Sequence, residues 1–470
     1  AGATMSTYET ISIEFTAPPP TTSARAGQSG GCRLRYRRYG STAWQDALDL
    51  PYDTGERNGI AALPAQYRGA ALLLEPGTLY EISAIHDDKS EHVLTARTRV
   101  DVSRLPIART IKLPERSAPL TVREGGSAQG YILYEPAGGR RAILDARRLG
   151  DYCLALDARE RPVRFVIFRN IRFTGALRHC VLLGSSERGN AEDIGDIIFD
   201  NCDFDDWSSP GAVGCRYGEN LHSGIYSAST ALENVTVQAC HFHDPAFGAN
   251  SWYADEGVAC TGTNHPEGPQ CITFKRSVGG HVIRYNTFEA GRGVRFNDSM
   301  GETGNFSDAG FPAANCDIYG NIVRGVNDDG IEIEGRDQNI RIWNNLFDDC
   351  FHGIALAPSY RGPVYIWGNI GLRSRSGRTR ARGQNFLKWR RMSGNTDWSG
   401  AHVYIFNNTL LPPIDRNRGF KQLYGEASPE ESIRNWHVWN NLVHNDQEPG
   451  RPEVAFEDPH GVNNDIRNNI

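Results

Sequence analysis

Apolar residues fall at every second position in short runs along the whole chain, with glycine, proline or asparagine at the breaks, as in QCITFKRSVGGHVIRYNTFEAGRGVRFND at 270–298. A period of two is that of strands, so the chain reads as all-β. Over residues 1–100 the runs ISIEFTA, CRLRYRRYG, AALLLEPGTLYEISAIHD and HVLTARTRV predict a small β-sandwich, and residues 101–119 read as a linker. From 120 to 470 the pattern becomes a repeated unit, a strand ending in Asn with a second apolar position two residues later. The copies carry Asn170, Asn201, Asn286, Asn321, Asn345, Asn369, Asn408 and Asn441, with Cys240 in the Asn place of one unit. Asn321, Asn345 and Asn369 are spaced by 24 residues. That period suits coils stacked at the strand–strand distance, each buried Asn bonding to its equivalents above and below. The expected architecture is a right-handed parallel β-helix preceded by the sandwich.

Within each unit a second strand places Ile272 and Phe274, Val294 and Phe296, Ile331 and Ile333, and Ile354 and Leu356 inward. The outward phase then holds Lys275, Arg295, Asn297, Glu332 and Glu334 as a polar stripe. Long insertions at 205–223, 244–270, 299–314 and 371–385 lie beside this stripe. A β-helix face walled by loops is a groove suited to an extended polymer, so the stripe is the expected site.

The repeats resemble those of polysaccharide lyases, pectinases and phage tailspikes. The stretch TFKRSVGGHVIRYNTFEAGRGVRFND is similar to a run in alginate lyases and chondroitin B lyases, β-helix enzymes with a Lys and an Arg on neighbouring coils. That resemblance implies β-elimination on a uronate-containing glycan, Lys275 acting as base and Arg295 neutralising the sugar carboxylate. Those lyases hold Ca2+ through acidic residues upstream of the lysine. Here HPEGPQ stands there with Glu267, so no cofactor is assigned and Ca2+ is the one candidate. NDDGIEIEG at 327–335 and FHGIAL at 351–356 resemble polygalacturonases, which implies Asp328, Asp329 and His352 in an inverting hydrolysis. No NTD-like segment is apparent one coil upstream of that pair, and no Arg-x-Lys one coil downstream. LLLEPGTLYEISA resembles the late strands of fibronectin type III modules.

Charge narrows the partners. Net charge is −6, which gives no general attraction to nucleic acid, and no stretch of about 20 apolar residues could insert in a membrane. LRSRSGRTRARGQNFLKWRR at 372–391 nevertheless carries eight Lys or Arg and no acid, so an anionic polysaccharide is the expected partner, with Lys388 and Arg390 contacting it. Trp252, Tyr253, His222 and Tyr226 are further substrate-binding candidates; His241 and His243 lie in the same insertion region. Ten cysteines form no CxxC pair, which excludes a zinc-finger module; Cys260 and Cys271 flank a loop that a disulfide could close. AGATMSTYET carries neither the basic nor the apolar part of a signal peptide and reads as a mature N-terminus, so a secreted or periplasmic monomer is expected. The leading expectation is a polysaccharide lyase. The alternatives are a polygalacturonase-like hydrolase and a non-catalytic, glycan-binding adhesin.

Overall fold

The structure is a computed structural model that describes residues 2–20, 31–55, 63–209, 222–250, 268–291, 293–301, 310–356, 359–373, 386–389, 401–411, 420–422, 434–443 and 464–469. Its N-terminal part is an antiparallel β-sandwich. One layer pairs Gly2–Ser6, Ile11–Phe15, Gln66–Ala71 and Leu50–Asp53; the other pairs Gln45–Asp46 and Leu79–Ile85 with Gly31–Arg38, and then Glu91–Arg97. Ile11, Ile13, Leu34, Leu50, Tyr80 and Ile82 alternate inward to form its core. Tyr80 folds back so that its hydroxyl accepts the Glu75 N–H at 2.9 Å, closing the Pro-Gly corner that precedes its strand.

The remainder is a right-handed parallel β-helix of three sheets. Its first strand, Ile107–Leu113, already pairs in parallel with Tyr131–Pro136. Residues 107–117, expected as part of a linker, therefore belong to the first coil, where Leu113 and the partly buried Ile111 pack against the core. The docking sheet runs from Ile107–Leu113 to Asp465–Arg467, and the ladder sheet from Arg116–Ser117 to Leu442–Val443. The site sheet begins with Leu120–Val122, Tyr152–Leu156, His179–Leu183, Ser223–Ser227, Gln270–Phe274 and Met300–Gly301. It continues in the second halves of two long bent strands, Ile322–Glu332 and Leu346–Leu356, and then in Leu387–Trp389 and Phe420–Gln422.

Between docking and ladder sheets each coil turns through one left-handed residue followed by the ladder residue. Gly320, Asn344, Gly368, Asn407 and Asn440 hold φ between 53° and 66°, a conformation that Gly and Asn adopt at low cost. The next residue supplies the stack. Asn321 donates its backbone N–H and its Nδ2 to Asn345 Oδ1, Asn345 does the same to Asn369, and the series continues through Asn408 and Asn441 to Asn469. Cys240 joins it by donating its N–H to Asn286 Oδ1. Asn170 and Asn201 differ from expectation. Both are the left-handed residue itself, and Ile171 and Cys202 occupy the ladder position in their coils. Asparagine satisfies either role, so the motif alone leaves the phase open by one residue.

The sandwich lies along the docking sheet. Tyr319, Trp343, Trp367 and Phe406 stack at 4.0, 4.8 and 5.7 Å on successive coils, and Tyr8, Ala70 and Val102 pack against this row. Buried polar contacts fix the register. Arg341 Nε donates to Asp317 Oδ1 at 2.5 Å with both side chains fully out of water; Thr7 and Thr10 of the sandwich also donate to Asp317, and Arg341 Nη1 reaches Ser12 Oγ at 2.7 Å. Among the described residues no helix is long and apolar enough to cross a membrane.

Candidate functional site

The site sheet presents two outward columns. Pairing aligns Tyr226 with Thr273, Thr273 with Gly301, Glu332 with Ala355, and Ala355 with Lys388. A Cβ on Gly301 would come within 3.0 Å of Glu332 Cβ, so these two also stand on adjacent rungs. The second column, three residues earlier in each strand, runs Ser223, Gln270, Asp298, Asp329 and His352. Ile331, Ile333 and Ile354 are fully buried between, as their phase predicts.

Two adjacent coils bring carboxylates together here. Phe296 bridges Val326, so the tripeptide Phe296-Asn297-Asp298 lies directly beside Val326-Asn327-Asp328. The Asp328 N–H donates to Asn297 O at 2.9 Å and the Asp329 N–H to Asp298 Oδ1 at 3.0 Å. Asp298 Oδ2 accepts from Gln270 Nε2 and from Asn297 Nδ2, each at 2.9 Å. Three donors on one carboxyl suit its ionised form. Asp328, Asp329 and His352 each offer a ligand atom within 4.8 Å of the others.

Lys388 reaches this group from two coils on. Its Nζ lies 2.5 Å from Asp329 Oδ2, and Asp329 is wholly buried. The intervening coil carries Ala355 between Glu332 and Lys388, and its small side chain leaves the lysine its path. Burial alone would lower the Lys388 pKa, but Asp329, Asp328, Glu334 and Glu332 outweigh it and raise it well above its ordinary value, so the ammonium persists. Burial first, and then Asp328, pushes Asp329 well above the usual carboxylate range; Glu332 is raised likewise by burial and then by Glu334. One ammonium faces several carboxylates here, so burial and like charge both favour protonation within the cluster.

Lys275 and Arg295 are not brought together. The sequence phase sets ITFK beside GVRFN, but the pairing of Ile272 with Met300 shifts that register by six residues. Lys275 is two residues beyond Thr273, and Arg295 is six residues before Gly301, the partner of Thr273; they lie at opposite ends of this part of the coil. Arg295 instead meets Asp349 at 2.9 Å. The reason is the bend of the coil between Phe296 and Met300, which alternation of apolar residues does not register.

Upstream on the same sheet His222 is buried with Nδ1 at 3.1 Å from Ser208 Oγ, and burial lowers its pKa to about 4. Tyr226 is buried too. Its ring stacks on His179 at 4.4 Å and its hydroxyl donates to Glu187 O at 3.1 Å. Trp252, Tyr253, Arg390 and Cys260 lie outside the described residues, as does most of 372–391. Cys271 is a free thiol buried in the coil core. For calcium, Glu267 lies outside the described residues, and the described run before Lys275, 268–274, offers no carboxylate.

The residues that the sequence reading missed are Asp298 and Gln270. The signal for Asp298 was the repeated Asn-Asp of 297–298 and 327–328, hidden by the wrong register.

Residues 158–370 match the family described as "Right handed beta helix region". No curated protein matches the chain closely enough to count as a relative. Among solved structures the chain is similar to a family 28 exopolygalacturonase of Yersinia enterocolitica, at 10% identity over 98% of each chain with a TM-score of 0.35. It is similar to the catalytic unit of a GH87 α-1,3-glucanase of Streptomyces thermodiastaticus, at 12% identity over 92% of this chain and 79% of that one, TM-score 0.35. A pectate lyase of Erwinia chrysanthemi follows at 10% identity, 84% and 92% coverage and TM-score 0.19. None of these likenesses carries a reaction or a substrate over to this chain.

Proposed function

We propose that this chain hydrolyses a glycosidic bond of a polysaccharide laid along the site sheet, with Asp298 and the Asp328–Asp329 pair as the reacting carboxylates. The observation that carries the reading is the convergence of these carboxylates from adjacent coils under the ammonium of Lys388. Asp298, ionised by its three donors, acts as base on a water. The Asp328–Asp329 pair, holding a proton because burial and like charge disfavour two anions, acts as acid. In the step the bond from the anomeric carbon to the bridging oxygen breaks, and that oxygen takes the proton of the pair. The water oxygen bonds to the anomeric carbon, and its proton passes to Asp298. Lys388 holds Asp329 in place, with Glu332, Asn297 and His352 beside it on the same and neighbouring coils.

A uronate-bearing glycan is the proposed substrate on the charge of 372–391, and a secreted or periplasmic monomer the proposed setting. Elimination by Lys275 and Arg295 is the weaker reading, because both groups must reach one sugar and Arg295 is occupied by Asp349. Incubation with polygalacturonate, alginate, glucuronan and glycosaminoglycans tests the choice. Hydrolysis produces new reducing ends without the near-ultraviolet chromophore of an unsaturated uronate, and Asp298→Asn abolishes them. Appearance of the chromophore would restore elimination; saturable binding with no shortening of any glycan would favour the adhesin.

A further inference from the structure

Away from the site sheet, on the outward face of the ladder sheet, Asp203, His241 and His243 come together on adjacent coils. His241 and His243 flank the buried Phe242 and so share the outer face of one strand; Asp203 pairs with His241 in register. Asp203 Oδ1 is 3.2 Å from His243 Nε2, and Oδ2 is 3.8 Å from His241 Nδ1. The two rings stack at 4.2 Å. The remaining ring nitrogens are already engaged: His241 Nε2 lies 2.9 Å from Glu289 Oε1, and His243 Nδ1 lies 2.9 Å from Asp244 Oδ2.

We propose that Asp203, His241 and His243 bind a divalent transition-metal ion, with zinc the physiological candidate. Two independent features point to it. First, the facing atoms His241 Nδ1, His243 Nε2 and an Asp203 oxygen lie within 4.8 Å of one another. Ligands at about 2.0–2.2 Å around a tetrahedral ion stand about 3.3 Å apart, close to the present spacing, so small side-chain movements complete the site. Second, each imidazole has a carboxylate on its far nitrogen, the arrangement that orients metal-bound histidines and strengthens their donor power. Two imidazoles and a single carboxylate suit Zn2+, Ni2+ or Cu2+ and not the all-oxygen preference of Ca2+ or Mg2+. The fourth position opens to solvent, since the His241 side chain is 36% exposed.

The surrounding charges define what the ion displaces. Arg141 and Arg172 stand 3.4 and 3.9 Å from Asp203, Arg324 stands 3.3 Å from Glu289, and Asp205 is the register neighbour of the strand position of His243. Without metal, Asp203 is held by both imidazoles and by Arg141, contacts that the ion takes over. Because Asp203 and the two histidines lie on adjacent coils, the bound ion cross-links two turns of the helix, with Glu289 supporting His241 from a third.

The test is calorimetric titration of Zn2+ into the untagged, EDTA-stripped full chain at neutral pH. The expected result is one equivalent bound, no comparable binding of Ca2+ or Mg2+, and a higher melting temperature with zinc. His241→Ala and His243→Ala lose the site, whereas Asp329→Asn with His352→Gln keeps it; this separates it from the other cluster. A melting temperature unmoved by zinc in the wild type overturns the proposal without any variant. Binding that survives both histidine substitutions, or that vanishes with Asp329, overturns it equally.

Discussion

Lys388→Met tests the electrostatics of the carboxylate cluster directly. Methionine keeps most of the stem and removes the charge that stands 2.5 Å from Asp329 Oδ2, where Asp329 is wholly buried. If Asp329 stays ionised, a buried carboxylate stripped of its partner costs about 3–5 kcal/mol. Protonation offers an escape, because burial and Asp328 already raise Asp329 from its ordinary 3.8. A carboxyl whose folded pKa is raised binds more protons folded than unfolded, so its destabilising effect is absent below the unfolded pKa and grows as pH climbs towards the folded one. Losing Lys388 raises Asp329 further and steepens that slope. The variant should therefore match the wild type to within about 1 kcal/mol near pH 4 and fall about 3–5 kcal/mol below it near pH 8. Urea unfolding followed by far-ultraviolet circular dichroism across this range measures the gap. A gap independent of pH, or one that widens towards acid, would refute the pairing of a charged Asp329 with Lys388.

Lys275→Ala should leave kcat at the wild-type level, measured as reducing ends released; loss of turnover with substrate still bound would return the lysine to the chemistry. Arg341→Met leaves Asp317 buried among Thr7 and Thr10 without its cation, and should cost about 3–5 kcal/mol and expose the sandwich to limited proteolysis. Asn345→Leu removes the acceptor of both Asn321 donors and should lower stability by about 1–3 kcal/mol per stranded group, read as a drop in urea midpoint with the far-ultraviolet spectrum retained.

The all-β class, the sandwich and the coil period were legible in the sequence because they depend on local rules. Alternation sets which side chains of a strand can be buried, and a buried asparagine must find partners, so a repeated Asn at 24 residues implies stacking whatever surrounds it. The inward phase of Ile331, Ile333 and Ile354 followed for the same reason. Register across a bend did not. The path from Phe296 to Met300 departs from regular alternation, so the outward positions of that coil can be counted only once its neighbours are in place. That single shift parted Lys275 from Arg295 and set Asp298 beside Asp328. It also explains why Lys388, read from sequence as one of a run of basic residues, belongs with Asp329. A buried ammonium persists only where carboxylates surround it, and those lie 54 residues or more before it in sequence, a proximity that stacking alone creates. The docking of the sandwich has the same character: alternation marks Arg341 and Asp317 as strand residues, and only the packing of one domain along the other shows that both are sealed from water.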